Sequence, residues 1–177
     1  NVGVVLIREG LEKEGLVIPY TVGTVARITF YQQSEIGLGQ LVAVGQHRFR
    51  ILDLVNFKPP LEALVSLWPW SPEPAPSQRL MDTVGEWLRR YVAALADVVP
   101  PVLEPEALPQ DAAALGVLAA VILQVSLSEK QALLETPTAV ALLSRVGALL
   151  CRQTRIAEQI NLFRPVGPPE FTRISWN

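Results

Sequence analysis

The chain has 177 residues, half of them hydrophobic and 18% charged, with a formal net charge of −2. Such a composition excludes a disordered chain and allows one large domain or two small ones, each able to bury a core. Six basic residues meet six acidic ones over 1–70 and nine meet eleven over 71–177, so neither half carries the basic footprint that nucleic acid or an anionic membrane surface calls for.

Asn1 is followed at once by Val2-Gly3-Val4-Val5-Leu6-Ile7, a continuous apolar run of the kind that forms a strand buried on both faces. The run opens without a Met or a polar lead-in, which suggests that residues upstream are missing, and no charged leader with an apolar core precedes it. Arg8 to Gly15 is charged, glycine-bounded and reads as a loop. Tyr20 to Tyr31 is rich in β-branched and aromatic residues and reads as a second strand, with Gly23 marking a bulge or a close backbone approach. Ser34 to Gln40 then turns the chain. Over Leu41 to Leu54 two apolar runs flank Gly45-Gln46-His47-Arg48, the pattern of a hairpin with its turn at the glycine. The alternation after it puts Phe49 and Ile51 on one face and Arg48 and Arg50 on a wet one. Residues 55–60 end in tandem prolines and read as a loop, and Leu61 to Trp68 is a further strand.

The β half ends near residue 70. Four prolines between Pro69 and Pro76 make 71–77 a stiff linker, and beyond it the apolar period changes from two to about 3.6. Ser77 is placed to cap a first helix whose face carries Leu80, Val84, Leu88, Tyr91 and Leu95 and which stops at Pro100-Pro101. Asp111 begins a second, with Leu115, Leu118, Ile122 and Leu123 in a run apolar nearly all round, as in the central member of a bundle. A short third helix follows Ser128, spaced from Gln131 as a capping box, and ends before Pro137. Thr138 starts a fourth, with Leu142, Leu143, Val146, Leu149 and Leu150 inward and Arg145, Arg152 and Arg155 outward, reaching about Ile160. The bundle thus spans 78–160, and 161–177 reads as an extended tail that Phe163, Phe171 and Trp176 would pin. The longest uncharged apolar run, Ala112 to Leu123, is 12 residues long where a membrane span needs about 20.

Little in the chain points to catalysis. The one cysteine, Cys151, sits in a helical context and reads as a small core residue; the one histidine, His47, lies in the hairpin turn in the other half. One His and one Cys far apart do not make a metal site, and no cofactor is implied. The pairs Glu12/Glu14 and Glu104/Glu106 stand in glycine- or proline-flanked loops and read as solvated surface. A phosphate-cradling loop needs a Gly-Lys pair, and none occurs in the sequence.

Gly3-Val4-Val5-Leu6-Ile7-Arg8-Glu9-Gly10, Val22-Gly23-Thr24-Val25-Ala26-Arg27-Ile28 and Arg48-Phe49-Arg50-Ile51 together resemble the amino-terminal substrate-binding domain of the Lon protease family. Ser128-Glu129-Lys130-Gln131-Ala132-Leu133-Leu134-Glu135 is similar to that family's short third bundle helix, and the resemblance covers roughly residues 2–155. It implies an α+β fold, a mostly antiparallel PUA-like β-domain followed by a bundle of about four helices. The family's opening strands do not precede Asn1, so the sheet is expected to be incomplete and to offer a pairing edge, to itself or to another chain. The resemblance further implies a non-enzymatic, cytoplasmic, bacterial substrate-recognition domain that binds unfolded protein or peptide and belongs to or assists an ATP-dependent protease. An adaptor joining two proteins, or a PUA-like RNA-binding module, are the alternatives; neither nucleic acid nor membrane is favoured by the charge. Ile36 and Leu38 in one loop, Phe57 in another, and Trp68 and Trp70 at the linker put large apolar side chains where turns should be polar. Either they form a peptide-binding patch or they pack between the two halves.

Overall fold

The computed structural model describes residues 1–10, 17–33, 39–56, 61–95 and 108–162. In chain order these form β1 (Val2–Val4), β2 (Ile7–Glu9), β3 (Ile18–Pro19), β4 (Val22–Gln33), β5 (Gly39–Asn56), β6 (Glu62–Leu67), α1 (Gln78–Leu95), α2 (Ala112–Ile122), α3 (Leu127–Leu134) and α4 (Ala139–Leu162). The fold is α+β, an antiparallel sheet plus four helices. Two compact units divide it: Asn1–Ala75 with Val125–Leu142, and the described residues of Pro76–Gln124 and Leu143–Asn177.

In the first unit β1, β4, β5 and β6 form an antiparallel sheet in that order, while β2 and β3 pair separately. The sequence expectation of one strand buried on both faces over Val2 to Ile7 is corrected here. The run splits between the two sheets, and β1 is an edge strand with Val2 and Val4 exposed. Gly23 is a point of close approach: a Cβ on it would stand 2.6 Å from the Val4 carbonyl oxygen and 2.7 Å from Phe49 Cζ. Phe49 can lie over the sheet there because Gly3 and Gly23 leave it room.

A second correction concerns Leu41 to Leu54, which is not a hairpin but the middle of β5, an 18-residue strand paired with β4 on one side and β6 on the other. Gly45 does not turn the chain. It faces Ala26, and the pairing shifts from Val25–His47 to Ala26–Gly45, leaving Gln46 as the extra residue of a bulge. His47 is therefore an exposed mid-strand residue and not a turn residue. The glycine and polar cluster mimic a turn because turns and bulges both draw on glycine's freedom.

The second unit follows its 3.6 period closely. Ser77 caps α1 by accepting from the Leu80 N–H at 3.3 Å, and Val84, Leu88 and Tyr91 are buried. Asp111 caps α2 through the Ala114 N–H at 2.8 Å, with Leu115, Ala119 and Leu123 enclosed. The run of α2 is apolar nearly all round, but the expectation that it is enclosed as a central member is corrected, since Val117 and Val121 are exposed. Tyr91 spends its hydroxyl on the Gln124 N–H at 3.1 Å. On α4, Val146 and Leu150 are buried, Leu149 and Cys151 are half-buried, and Arg145, Arg152 and Arg155 are exposed. Arg90 and Glu158 make a bidentate surface pair at 2.6 and 2.9 Å. The ends expected at Pro100-Pro101 and the tail beyond 162 lie outside the described residues. No helix among the described residues is long and apolar enough to cross a membrane.

Candidate functional site

Residues 125–142 are counted with the sheet because a side chain from the middle of β5 holds them there. Arg48 is only 4% exposed, contrary to the wet face that strand alternation assigns it. Its Nε donates to the Trp68 carbonyl at 2.7 Å, and its Nη1 donates to the carbonyls of Leu134 and Thr136, each at 2.6 Å. The last carbonyls of a helix have no partner within it and carry partial negative charge, so a guanidinium there supplies both donor and field. The Arg48 carbon lies 4.0 Å from the ring centres of both Trp68 and Trp70, and Arg50 lies 4.0 Å from Trp68. Burial, and after it the Arg50 charge, push the Arg48 guanidinium down to about 10, which leaves it cationic at neutral pH.

The same junction is tied by neutral contacts. Trp70 donates its indole N–H to the Thr136 hydroxyl at 2.9 Å, and that hydroxyl donates to the Leu133 carbonyl at 2.8 Å. Gln131 is buried and donates to the Val22 carbonyl at 3.0 Å, so it is a docking residue and not part of a cap. The capping box of α3 is Ser126 with Glu129, one of two overlapping matches, and the expected Ser128–Gln131 box is not the one used. Ser71 and Thr138 form a short parallel bridge, and Thr138 caps α4 through the Ala141 N–H. An eight-residue helix has no stability of its own in water, so α3 exists because these contacts hold it.

Much of the remaining sheet surface is apolar and open. Ile28, Phe30, Tyr31, Leu41, Val42 and Val44 are exposed where β4 and β5 pair toward Gln33 and Gly39. Toward β6, the pairing shifts twice, from Ile51–Val65 to Asp53–Leu64 and from Leu54–Ala63 to Asn56–Glu62. The extra residues of these bulges, Leu52 and Val55, stand 61% and 67% exposed, and Leu64 and Leu67 of β6 stand at 58% and 60%. Apolar surface of this extent is what interaction sites expose.

Of the five residues singled out from the sequence, Trp68 and Trp70 are brought together, half-buried, on Arg48. Ile36, Leu38 and Phe57 lie outside the described residues. Arg48, Gln131 and Thr136 were not legible as a cluster, since 83 or more residues separate Arg48 from the other two. The exposed Leu52 and Val55 were hidden for a different reason, because bulges break the alternation that assigns residues to faces, and Leu64 and Leu67 because β6 is exposed along its whole length. Among the described residues no group of three or more His, Cys, Asp or Glu is placed to hold a metal ion.

An open antiparallel sheet with a helix clamped to it and broad apolar exposure is the form of a binding module. The sequence profile of the substrate-binding domain of ATP-dependent protease La (LON) matches residues 2–152, and the chain belongs to that family. Two solved structures share the fold at 20% identity. The crystal structure of a Lon N-terminal domain protein from Xanthomonas campestris aligns with a TM-score of 0.55 over 92% of this chain and 75% of that one. The N-terminal domain of Mycobacterium avium complex Lon protease aligns with a TM-score of 0.52 over 76% of this chain and 72% of that one. Comparison with curated protein sequences gave no match. Membership of the family supports a role in substrate recognition.

Proposed function

We propose that this chain is a non-catalytic recognition module that binds unfolded protein or peptide segments and serves an ATP-dependent protease in protein quality control in the bacterial cytoplasm. One observation carries the reading: the exposed apolar side chains of β4, β5 and β6 form a surface that a folded monomer has no reason of stability to present to water. Unfolded chains differ from folded ones in exposing just such apolar groups, so the surface selects for them by burial of both partners. Ile36, Leu38 and Phe57, apolar residues of the two loops read from the sequence, and the half-buried Trp68 and Trp70 are the side chains we assign to peptide contact, aromatic groups being common interface anchors.

The test is a titration of the 177-residue chain with a permanently unfolded polypeptide, such as a reduced and carboxymethylated protein, read by anisotropy. Saturable binding is expected, weakened by Phe57→Ala. Trp70→Ala is a poorer probe because Trp70 also packs on Arg48. No saturable binding would contradict the reading.

A further inference from the structure

Between β6 and α1 the stretch Trp68-Pro69-Trp70 is pinned at both ends. At one end the Trp68 N–H donates to the Arg48 carbonyl at 2.9 Å, which carries the β5–β6 pairing one residue past β6. At the other end the Ser71 N–H donates to the Pro137 carbonyl and the Ser71 carbonyl accepts from the Ala139 N–H, both at 3.1 Å. Pro69, in the middle, has its φ fixed by its own ring.

The two indoles are fixed as well. One guanidinium, that of Arg48, stacks at 4.0 Å on both rings. Trp70 is also set in rotation about its stem, because its N–H is tied at 2.9 Å to the Thr136 hydroxyl, which is itself tied at 2.8 Å to the Leu133 carbonyl. Thr136 is 2% exposed, whereas both tryptophans are only half-buried. Their orientation is therefore set from inside the protein while part of each ring stays open to a partner. An aromatic side chain ordered in advance meets its partner without losing rotamer freedom at that moment, which is what preorganisation contributes to affinity.

We infer that Arg48 and Thr136 are positioning residues that set Trp68 and Trp70 for peptide contact, so that peptide binding and the docking of residues 133–139 on the sheet are linked. The same hydrogen bonds serve both ends of that link: those that order the rings also hold the carbonyls of Leu133, Leu134 and Thr136. Linkage is reciprocal, so a polypeptide that settles on the ordered rings tightens the hold on 133–139. The inference rests on the reading that the two tryptophans meet polypeptide, and it names what prepares them.

The experiment uses the whole chain and a reduced, carboxymethylated protein as the unfolded probe. Thr136→Val, close in shape but without the hydroxyl, should bind it about fivefold more weakly, the order of effect expected when one large side chain must be ordered on binding. Thr136→Ser, which keeps the hydroxyl, should recover wild-type affinity. Each affinity is read well below the unfolding midpoint of the variant concerned, where a purely structural role would lower stability and leave affinity unmoved. In the wild type, saturating probe should slow amide exchange at Ser71, Glu135, Thr136 and Ala139, whose N–H groups close the hold. Wild-type affinity in Thr136→Val, or an equal loss in Thr136→Ser, would overturn the inference while leaving polypeptide recognition standing. Unchanged exchange at those amides would also overturn it, and it decides the matter if Thr136→Val does not fold. Failure of the wild-type chain to bind any unfolded polypeptide would remove the underlying reading as well.

Discussion

The two units of this protein handle apolar residues in opposite ways. In the helical unit the residues selected by a 3.6 period are the ones enclosed: Val84, Leu88 and Tyr91 on α1, Leu115 and Ala119 on α2, Val146 and Leu150 on α4. In the sheet unit the enclosed apolar residues among the strands are few, Val22, Ala26 and Phe49, and beside them a charged side chain, Arg48, is buried as well. A helix packs its stripe against a neighbouring stripe and is then finished. A sheet of four strands has two faces and two edges, and among the described residues it is met by a helix, α3, that begins about 60 residues after the last strand. The helical unit encloses most of its periodic apolar residues, with Val117, Val121, Ile156 and Ile160 exposed, whereas the strands of the sheet unit leave most of theirs exposed.

Several changes would break or sharpen that contrast. The largest effect is expected from Arg48→Met, which keeps bulk between the tryptophans but strips donors from three carbonyl oxygens. Hydrogen bonds from a charged group contribute about 1.5–3 kcal/mol each and unsatisfied buried acceptors are costly, so a loss of about 3–4 kcal/mol is expected in denaturant unfolding. Arg48→Lys should recover little of it, because an ammonium cannot reproduce the fork or the stacking. Wild-type stability in Arg48→Met would mean that α3 is held by its neutral contacts alone. Gly23→Ala comes next. The added Cβ meets backbone at Val4 and the Phe49 ring, and overpacking of this kind costs about 1–3 kcal/mol, read as a lowered unfolding midpoint.

The smallest effect belongs to the helical unit. Arg90 holds the exposed Glu158 carboxyl below its ordinary range, chiefly through their hydrogen bonds. A carboxylate with a lowered folded pKa stabilises above its unfolded value and loses that contribution as pH falls through the folded one. The pair is solvent-exposed, so Glu158→Gln should shift the midpoint at neutral pH by no more than the error of the measurement, and any acid-side difference should shrink in salt. Arg48 adds no pH dependence between acid and neutral pH, since its charge persists up to about 10.

The contrast also explains what could be read from the residues alone. The starts of α1, α2 and α4 were legible almost to the residue, with Ser77, Asp111 and Thr138 acting as the caps their positions suggest, while the cap of α3 is Ser126, two residues before the one expected. That is local information, carried by side chains three or four positions apart. The strands were legible as strands, but their faces and turns less so. Gly45-Gln46-His47-Arg48 imitates a turn while forming a bulge, and β1 reads as buried while lying at an edge. The burial of Arg48 depends on Leu134 and Thr136, more than 80 positions away, which no periodicity can report. The one hint in the sequence is compositional: two tryptophans beside a proline-rich stretch, with two arginines in a neighbouring strand, are the parts of an arginine–aromatic stack.

The claim that the sheet unit and not the helical unit meets unfolded polypeptide can be tested on a matched pair. Val55 on β5 and Val121 on α2 are the same residue type and are both 67% exposed, one in each unit. A photo-reactive side chain placed at either position, in the presence of an unfolded polypeptide, reports which unit it touches. Adducts from position 55 and few from position 121 are the predicted result. Equal yields, or adducts mainly from 121, would contradict the account.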